Sequence, residues 1–241
     1  MTNKPLVAIT GASSGIGAAT ATAFSKAGYP VLMMARRTDR MQQLALPNSV
    51  VAHVDVRDRD QLKAAVTKGE IAHGPIDMMF VNAGIARLAD IGRQPPEQWD
   101  EMIDINTKGV MNTVHSVMSG MMARKHGTIF MMSSIAGRKV YPDHTVYCGT
   151  KFFVHAVAES LREYLSDYGI RVIVLSPGVI ETEVLTGILD EETLEGYKEN
   201  KIKMGGGISA DIVADLILNA YSYPQNAIVQ EICITPTRQK F

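Results

Sequence analysis

Along this chain, short apolar runs alternate with longer stretches in which apolar residues recur at helical period. The short runs, rich in Val, Ile and Met, fall at 6–10, 30–35, 50–54, 78–81, 127–132, 170–175 and 227–234. They have no polar face, which is the signature of strands in a parallel sheet covered on both sides. Helix-period stretches lie between them at 15–27, 57–72, 96–124, 145–168 and 209–221. Strand and helix in alternation make βαβ units with right-handed crossovers. The pattern predicts an α/β fold: a single doubly wound (Rossmann) domain over 1–241, with a mostly parallel seven-stranded sheet. No linker, repeat or low-complexity tract divides it.

The longest stretch without strand character is 181–207. It carries an acidic helical patch (Asp190, Glu191, Glu192, Glu195) and ends in Gly205-Gly206-Gly207. A long excursion inside a compact domain is usually functional or disordered. A flap at about 183–207, hinged where the glycines relax the backbone, is the expectation; a merely solvated helix is the alternative.

Composition narrows the choice of partners. Lys and Arg number 24 against 25 Asp and Glu, a net charge of −1, which gives no electrostatic case for nucleic acid or an anionic membrane. The 241 residues suffice for a sizeable core. Two cysteines, Cys148 and Cys233, make no disulfide framework, so a reducing, cytoplasmic setting is expected. Residues 5–25 lack charge, but Thr, Ser and Gly interrupt them throughout, so they read as strand, turn and helix, with no membrane span or targeting signal.

Thr10-Gly11-Ala12-Ser13-Ser14-Gly15-Ile16-Gly17 follows the first strand and opens the first helix. Glycines there permit a tight turn and close approach of backbone to a pyrophosphate, with the helix N-terminus supplying N–H groups and positive potential. A plain turn would also hold three glycines; the strand–turn–helix setting favours dinucleotide binding. An NAD site commonly has an acid about 20 residues on, for the ribose 2′-hydroxyl. Here the second strand ends in Arg36-Arg37, with no acid before Asp39. Two guanidiniums suit a 2′-phosphate and gain nothing from a hydroxyl, so NADP(H) is the expected cofactor, against a solvated basic turn.

Tyr147 and Lys151 stand four apart near the start of a predicted helix, one turn apart on one face. Bringing a phenol from ~10 to neutrality takes about 4 kcal/mol, roughly what an ammonium ~4 Å away supplies at an effective dielectric of ~20. The expectation is that Lys151 lowers the Tyr147 pKa and makes it a general acid/base. Alone, the pair is equally two ordinary surface residues.

Together these motifs resemble the short-chain dehydrogenase/reductase family. The matching residues run in the family's order over most of the chain: Thr10–Gly17, Asp55-Val56 after the third strand, Asn82-Ala83-Gly84 after the fourth, Asn106, Ser133-Ser134-Ile135-Ala136-Gly137 after the fifth, Tyr147 and Lys151, then Pro177-Gly178 and Thr182 after the sixth. The resemblance implies that Tyr147 transfers the proton and, like Lys151, also contacts the cofactor, and that Ser134, thirteen residues earlier, holds the substrate oxygen, with Ser133 the neighbouring candidate. It implies that Lys151 binds the nicotinamide ribose and that Asn106 supports a water-linked proton relay. Gly11, Ser13, Ser14, Gly15, Ile16 and Gly17 would hold the pyrophosphate side, Arg36 and Arg37 the 2′-phosphate, and Asp55 and Val56 the adenine. Asn82, Ala83 and Gly84 would line the adenine ribose; Val179 and Thr182 would face the nicotinamide amide, with Pro177 and Gly178 also binding the cofactor. The implied reaction is hydride exchange between nicotinamide and a small carbonyl or alcohol, with no metal, in a homo-oligomer (tetramer or dimer) built on the long helices.

A narrower likeness lies in Arg138–His144, Phe152–Ala156, Met204-Gly205-Gly206 and the tail Thr235-Pro236-Thr237-Arg238-Gln239, which resemble NADPH-dependent blue fluorescent proteins. A similar tail and double arginine occur in reductases of small hydroxy acids such as serine. The rival to an enzyme is therefore an NADPH binder that brightens the nucleotide and turns over little. His144 reads either as a substrate contact or as loop packing, Cys148 as a small buried filler, and Met111, Met118, Met121 and Met122 as packing residues. Tyr197 and Met204 could close over a substrate.

Overall fold

The computed structural model describes residues 4–240, with the backbone alone at 184 and 185. In chain order it comprises β1 (Leu6–Thr10), α1 (Gly15–Lys26), β2 (Val31–Ala35), α2 (Thr38–Gln43), β3 (Ser49–His53), α3 (Arg59–His73), β4 (Ile76–Val81), α4 (Pro96–Ile103), α5 (Gly109–Arg124), β5 (Gly127–Met132), α6 (Thr145–Ser166), β6 (Ile170–Pro177), β7 (Ile180–Glu181), α7 (Glu191–Lys203), β8 (Ile208–Ser209), α8 (Ala210–Ser222) and β9 (Glu231–Ile234). Seven strands form one sheet in the order β3-β2-β1-β4-β5-β6-β9, and each neighbouring pair is parallel.

Alternate side chains of each strand enter two separate cores, because successive Cβ atoms point to opposite faces. Leu6, Ala8, Leu32 and Met34 pack with Val110, Val114 and Met121 of α5 and Val154 and Ala158 of α6. Val7, Ile9, Val31 and Met33 pack with Ala21 and Phe24 of α1 and Val213 and Ile217 of α8. This is the doubly wound Rossmann arrangement the apolar runs predict.

Several boundaries differ from the sequence pattern. The helix expected over 96–124 is broken by a π-helical turn at Asp104–Lys108, where Gly109 N–H bonds back to Asp104 C=O. Residues before and after that turn keep helical dihedrals, so apolar periodicity does not register it. The short α2 was not expected at all, and the last strand covers only Glu231–Ile234, with Gln230 O still accepting from Val174 N–H of β6 at 3.0 Å.

The 181–207 excursion is more ordered than its sequence suggests. β7 and β8 pair at its base, so the chain leaves and returns at one point. Asp190 caps α7 by accepting from Thr193 N–H (3.0 Å) and Thr193 hydroxyl (2.7 Å). Glu181 accepts from Gly207 N–H at 2.7 Å and pairs with Lys201. Gly205 and Gly206 have φ of +82° and +99°, so glycine is needed for this return.

Candidate active site

The carboxyl ends of the strands open into one cleft of about 1290 Å³. It lies over the point where β1 has β2 on one side and β4 on the other, the switch point at which open α/β sheets bind ligands. Every catalytic or cofactor-binding candidate named from the sequence lines this cleft except Gly17 and Asn106.

The β1–α1 turn depends on glycine. Gly11 and Gly15 have φ of +68° and +52°, and a Cβ on Gly17 would sit 2.4 Å from Gly11 O. Gly17 thus lies behind the cleft wall and lets α1 press against the turn. Ser14, the N-cap of α1, makes no side-chain capping bond, so the first-turn N–H groups of α1 are left for another acceptor. Arg37, from the end of β2, reaches across this turn: its Nη2 donates to Ser14 Oγ (2.8 Å) and Ser13 Oγ (3.3 Å). Its Nη1 pairs with Glu183 at 3.2 Å, and Arg40 holds the other oxygen of Glu183 at 2.6 Å. Arg36 is exposed beside Asp55. An uncapped helix N-terminus, left-handed glycines and a cationic strand end form a donor set that fits the diphosphate and a further phosphate of a dinucleotide.

Asp55 accepts from Arg57 N–H and Nε, each at 3.0 Å; these bonds and the guanidinium charge hold its carboxyl at about 2. Val56 lies beside it, with its side chain against Gly109. Asn82 spends its amide on Thr10 O (2.9 Å) and Gly11 O (3.3 Å), while Asn82 and Ala83 N–H bond Thr10 Oγ1. The segment expected to line the adenine ribose therefore also ties the ends of β1 and β4 together. A Cβ on Gly84 would stand 3.2 Å from Asn106 Oδ1, so the backbone runs close to that side chain here.

Asn106, within the π-helical turn, is buried behind the wall. Its side chain accepts from Ile85 N–H (2.9 Å) and donates to Ile85 O (2.8 Å). A third bond runs from its Nδ2 to Thr150 Oγ1 at 3.2 Å, which fixes the loop after β4 against α6.

At the other end, α6 carries Tyr147 and Lys151 into the cleft. Lys151 is only 5% exposed; its Nζ donates to Met132 O at 3.0 Å and lies 5.6 Å from the Tyr147 ring centroid. Burial lowers the ammonium to about 8. The sequence-based expectation of a depressed Tyr147 is reversed here. Burial pushes the phenol above its ordinary range, and the opposing influence is a hydrogen bond with Ser134 rather than the ammonium. Lys151 lies against the ring and is engaged by a carbonyl, so its charge does not offset the lost hydration of the phenolate.

Ser134 caps the short turn Ile135–Gly137 by accepting from Ala136 N–H (3.1 Å), with Pro177 O 3.4 Å from its hydroxyl. Ser133, the neighbouring candidate, is buried and donates to Lys151 O at 3.1 Å. Pro177, Gly178, Val179 and Thr182 form the facing wall. A Cβ on Gly15 would meet Thr182 Cγ2 at 3.1 Å, so this wall closes against the phosphate turn.

Sequence alone assigns no site role to two lining residues, Gln239 and Ile188. Gln239 Oε1 accepts from Val179 N–H at 3.0 Å, and a Cβ on Gly178 would clash with it at 2.1 Å. The only sequence signal was a polar tail leaving the last strand at its carboxyl end. Ile188 joins Ala86 and Leu88 in a small apolar cluster that receives Tyr147, Leu194 and Tyr197. His144 lines the cleft, pairs with Asp143 at 2.7 Å and meets Tyr147 edge-on. Cys148 is buried; Met121 is buried whereas Met111 is exposed. Among the described residues no cluster could hold a metal ion, and no helix is long and apolar enough to cross a membrane.

Comparison with known proteins agrees with this geometry. The family profile described as short chain dehydrogenase matches residues 5–193. An uncharacterized oxidoreductase of Listeria monocytogenes is 35% identical over 249 aligned positions, covering 98% of each chain. Among solved structures, the closed form of a serine dehydrogenase complexed with NADP+ superposes with a TM-score of 0.89 at 28% identity, over 98% of this chain and 96% of that one. Serine dehydrogenase from Escherichia coli gives 0.84 at 27%, over 98% and 100%. A glycine turn at the switch point, a Tyr–Lys pair on α6 and full-length similarity converge: the chain belongs to the short-chain dehydrogenase family of oxidoreductases.

Proposed function

We propose that the protein is an NADP(H)-dependent oxidoreductase acting on a small carbonyl or alcohol. The observation that carries this is the placement of Arg36 and Arg37 at one end of the cleft and of Ser134, Tyr147 and Lys151 at the other. Similar serine dehydrogenase in complex with NADP+ supports the cofactor. Bound NADP(H) would supply the hydride for a carbonyl carbon or accept one from an alcohol. The chain does the rest. Arg36 and Arg37 hold the 2′-phosphate, the α1 N-terminus holds the diphosphate, and the Pro177–Val179 turn with Thr182 faces the nicotinamide.

Ser134 donates to the substrate oxygen, and Tyr147 passes its phenolic proton to that oxygen during reduction. A phenol held protonated by burial is in the state a proton donor requires. Lys151 lies within the same wall, placed for the nicotinamide ribose, and Asn106 positions the 82–85 segment and α6 around it. Ile188, Leu194 and Tyr197 bring apolar surface toward Tyr147, which suits a compact substrate. The 183–207 segment acts as the flap over that end.

The likeness to blue fluorescent proteins adds a finer reading: binding in an enclosed cleft holds NADPH extended and brightens its emission. The packing of Gln239 against the nicotinamide-side wall supports such confinement. Exposed Met111, Phe152 and Tyr164 on α5 and α6 support a homo-oligomer through these helices. Titration with NADPH, followed by its oxidation over a panel of small aldehydes, ketones and 2-keto acids, tests the main reading. Binding with turnover that disappears in Tyr147→Phe supports it. Binding with no turnover on any carbonyl leaves the fluorescent binder, and no binding of either nucleotide ends both.

A further inference from the structure

Glu183 stands where an anion is least neutral in its effect. Its two carboxylate oxygens take two different guanidiniums, Arg37 at 3.2 Å and Arg40 at 2.6 Å. The same Arg37 reaches Ser13 and Ser14 over the phosphate turn. Glu183 comes from the far wall of the cleft, 146 residues away in sequence, so the pair spans the cleft mouth. It also begins the turn Glu183–Gly187, which leads into Ile188 beside Tyr147 and Tyr197. One carboxylate on a fork of two arginines has the shape and charge of a phosphate contact.

We propose that Glu183 is a resident competitor for the 2′-phosphate. It occupies Arg37, and a nucleotide carrying that phosphate binds by displacing it, whereas a nucleotide bearing only the 2′-hydroxyl has no charge with which to do so. The inference rests on the NADP(H) reading. Displacement leaves Glu183 to Arg40 alone, so arrival of the phosphate is felt at the first turn of the 183–207 segment, which leads to the wall beside Tyr147. Glu183 thus trims the preference for the phosphorylated nucleotide that the arginines provide, by fixing what the phosphate must replace.

Glu183→Gln keeps the side-chain size and removes the charge from a half-exposed position, so the fold is retained. Titrations of NADPH and NADH into wild type and Glu183→Gln, at low and at about 1 M salt, read the competition. The NADPH dissociation constant is expected to fall about three- to fivefold at low salt, the size for loss of a half-exposed ion pair, while that for NADH moves by less than about twofold. The gain should vanish at high salt, where screening extends over only ~3 Å. Hydrogen exchange over 183–187 is expected to differ between NADPH-bound and NADH-bound wild type and to be alike in the variant. Equal shifts for the two nucleotides, or weaker NADPH binding, overturn the inference while leaving the cofactor reading intact. Wild type that binds neither nucleotide overturns both.

Discussion

At the β2 end of the cleft the ionisable groups are half in water and already paired, Arg37 and Glu183 being 46% and 48% exposed in their side chains. At the α6 end Lys151 is almost fully buried, and what moves its proton affinity, like that of Tyr147, is chiefly lost hydration. The first arrangement is suited to recognition. Exposed charges attract an incoming anion, exchange partners at small cost and respond to salt. The second is suited to chemistry, because a dry site keeps a phenol protonated and makes each nearby dipole count. On the proposed function, a single cleft uses solvent access to separate choosing a nucleotide from transferring a proton.

The comparison breaks most visibly at the buried end. Tyr147→Phe removes the proton donor without changing ring packing, and turnover with the best carbonyl should fall by about 10²- to 10⁴-fold with NADPH affinity nearly retained. Parallel steady-state rates and titrations check this; a matching loss of affinity would place Tyr147 in binding instead. At the exposed end, Arg36→Ala combined with Arg37→Ala should weaken NADPH by about 10- to 100-fold, the worth of charge-assisted hydrogen bonds. NADH should change little, and equal losses would remove the phosphate assignment.

Between the two ends, Gly17→Ala tests the turn itself. Its Cβ would stand 2.4 Å from Gly11 O, a backbone atom that cannot swing aside. A loss of about 1–3 kcal/mol in stability is expected from such overpacking, read as a lower denaturation midpoint.

The smallest effect is a pH slope. Folded Lys151 gives up its proton near 8, below its ordinary 10.5. Between those values the unfolded chain binds more protons, so Lys151 makes stability rise with pH across that window. In Lys151→Met this contribution should be missing, seen as the difference between wild-type and variant unfolding curves from pH 8 to 10. A difference that is flat with pH would show that the ammonium is not desolvated.

Much of this architecture is legible in sequence because the parallel strands are apolar on both faces. Val31–Ala35 and Gly127–Met132 are wholly buried runs, and a run with no polar face has few other places to go. The phosphate turn is legible too, since positive φ at Gly11 and Gly15 leaves few alternatives to glycine. The π-helical turn at Asp104–Lys108 is not, because Asp104 and Lys108 at its two ends keep helical dihedrals and the helix continues through it. The ordering of 181–207 depends on β7–β8 pairing and on Glu181 reaching Gly207, contacts that no local pattern encodes.

The candidate site divides in the same way. Its residue types and order (Gly11 to Gly17, Arg36-Arg37, Tyr147 with Lys151) were set down by the sequence, because helix periodicity and turn chemistry are local properties. Tertiary structure decided which charges would be bare and which engaged. It placed Glu183 on Arg37 and Arg40, put Gln239 against Val179, and buried Lys151 so that its ammonium bonds Met132 O in place of tuning the phenol. Desolvation and long-range ion pairing arise only when segments far apart in the chain close on each other, and neither can be read from spacing along it.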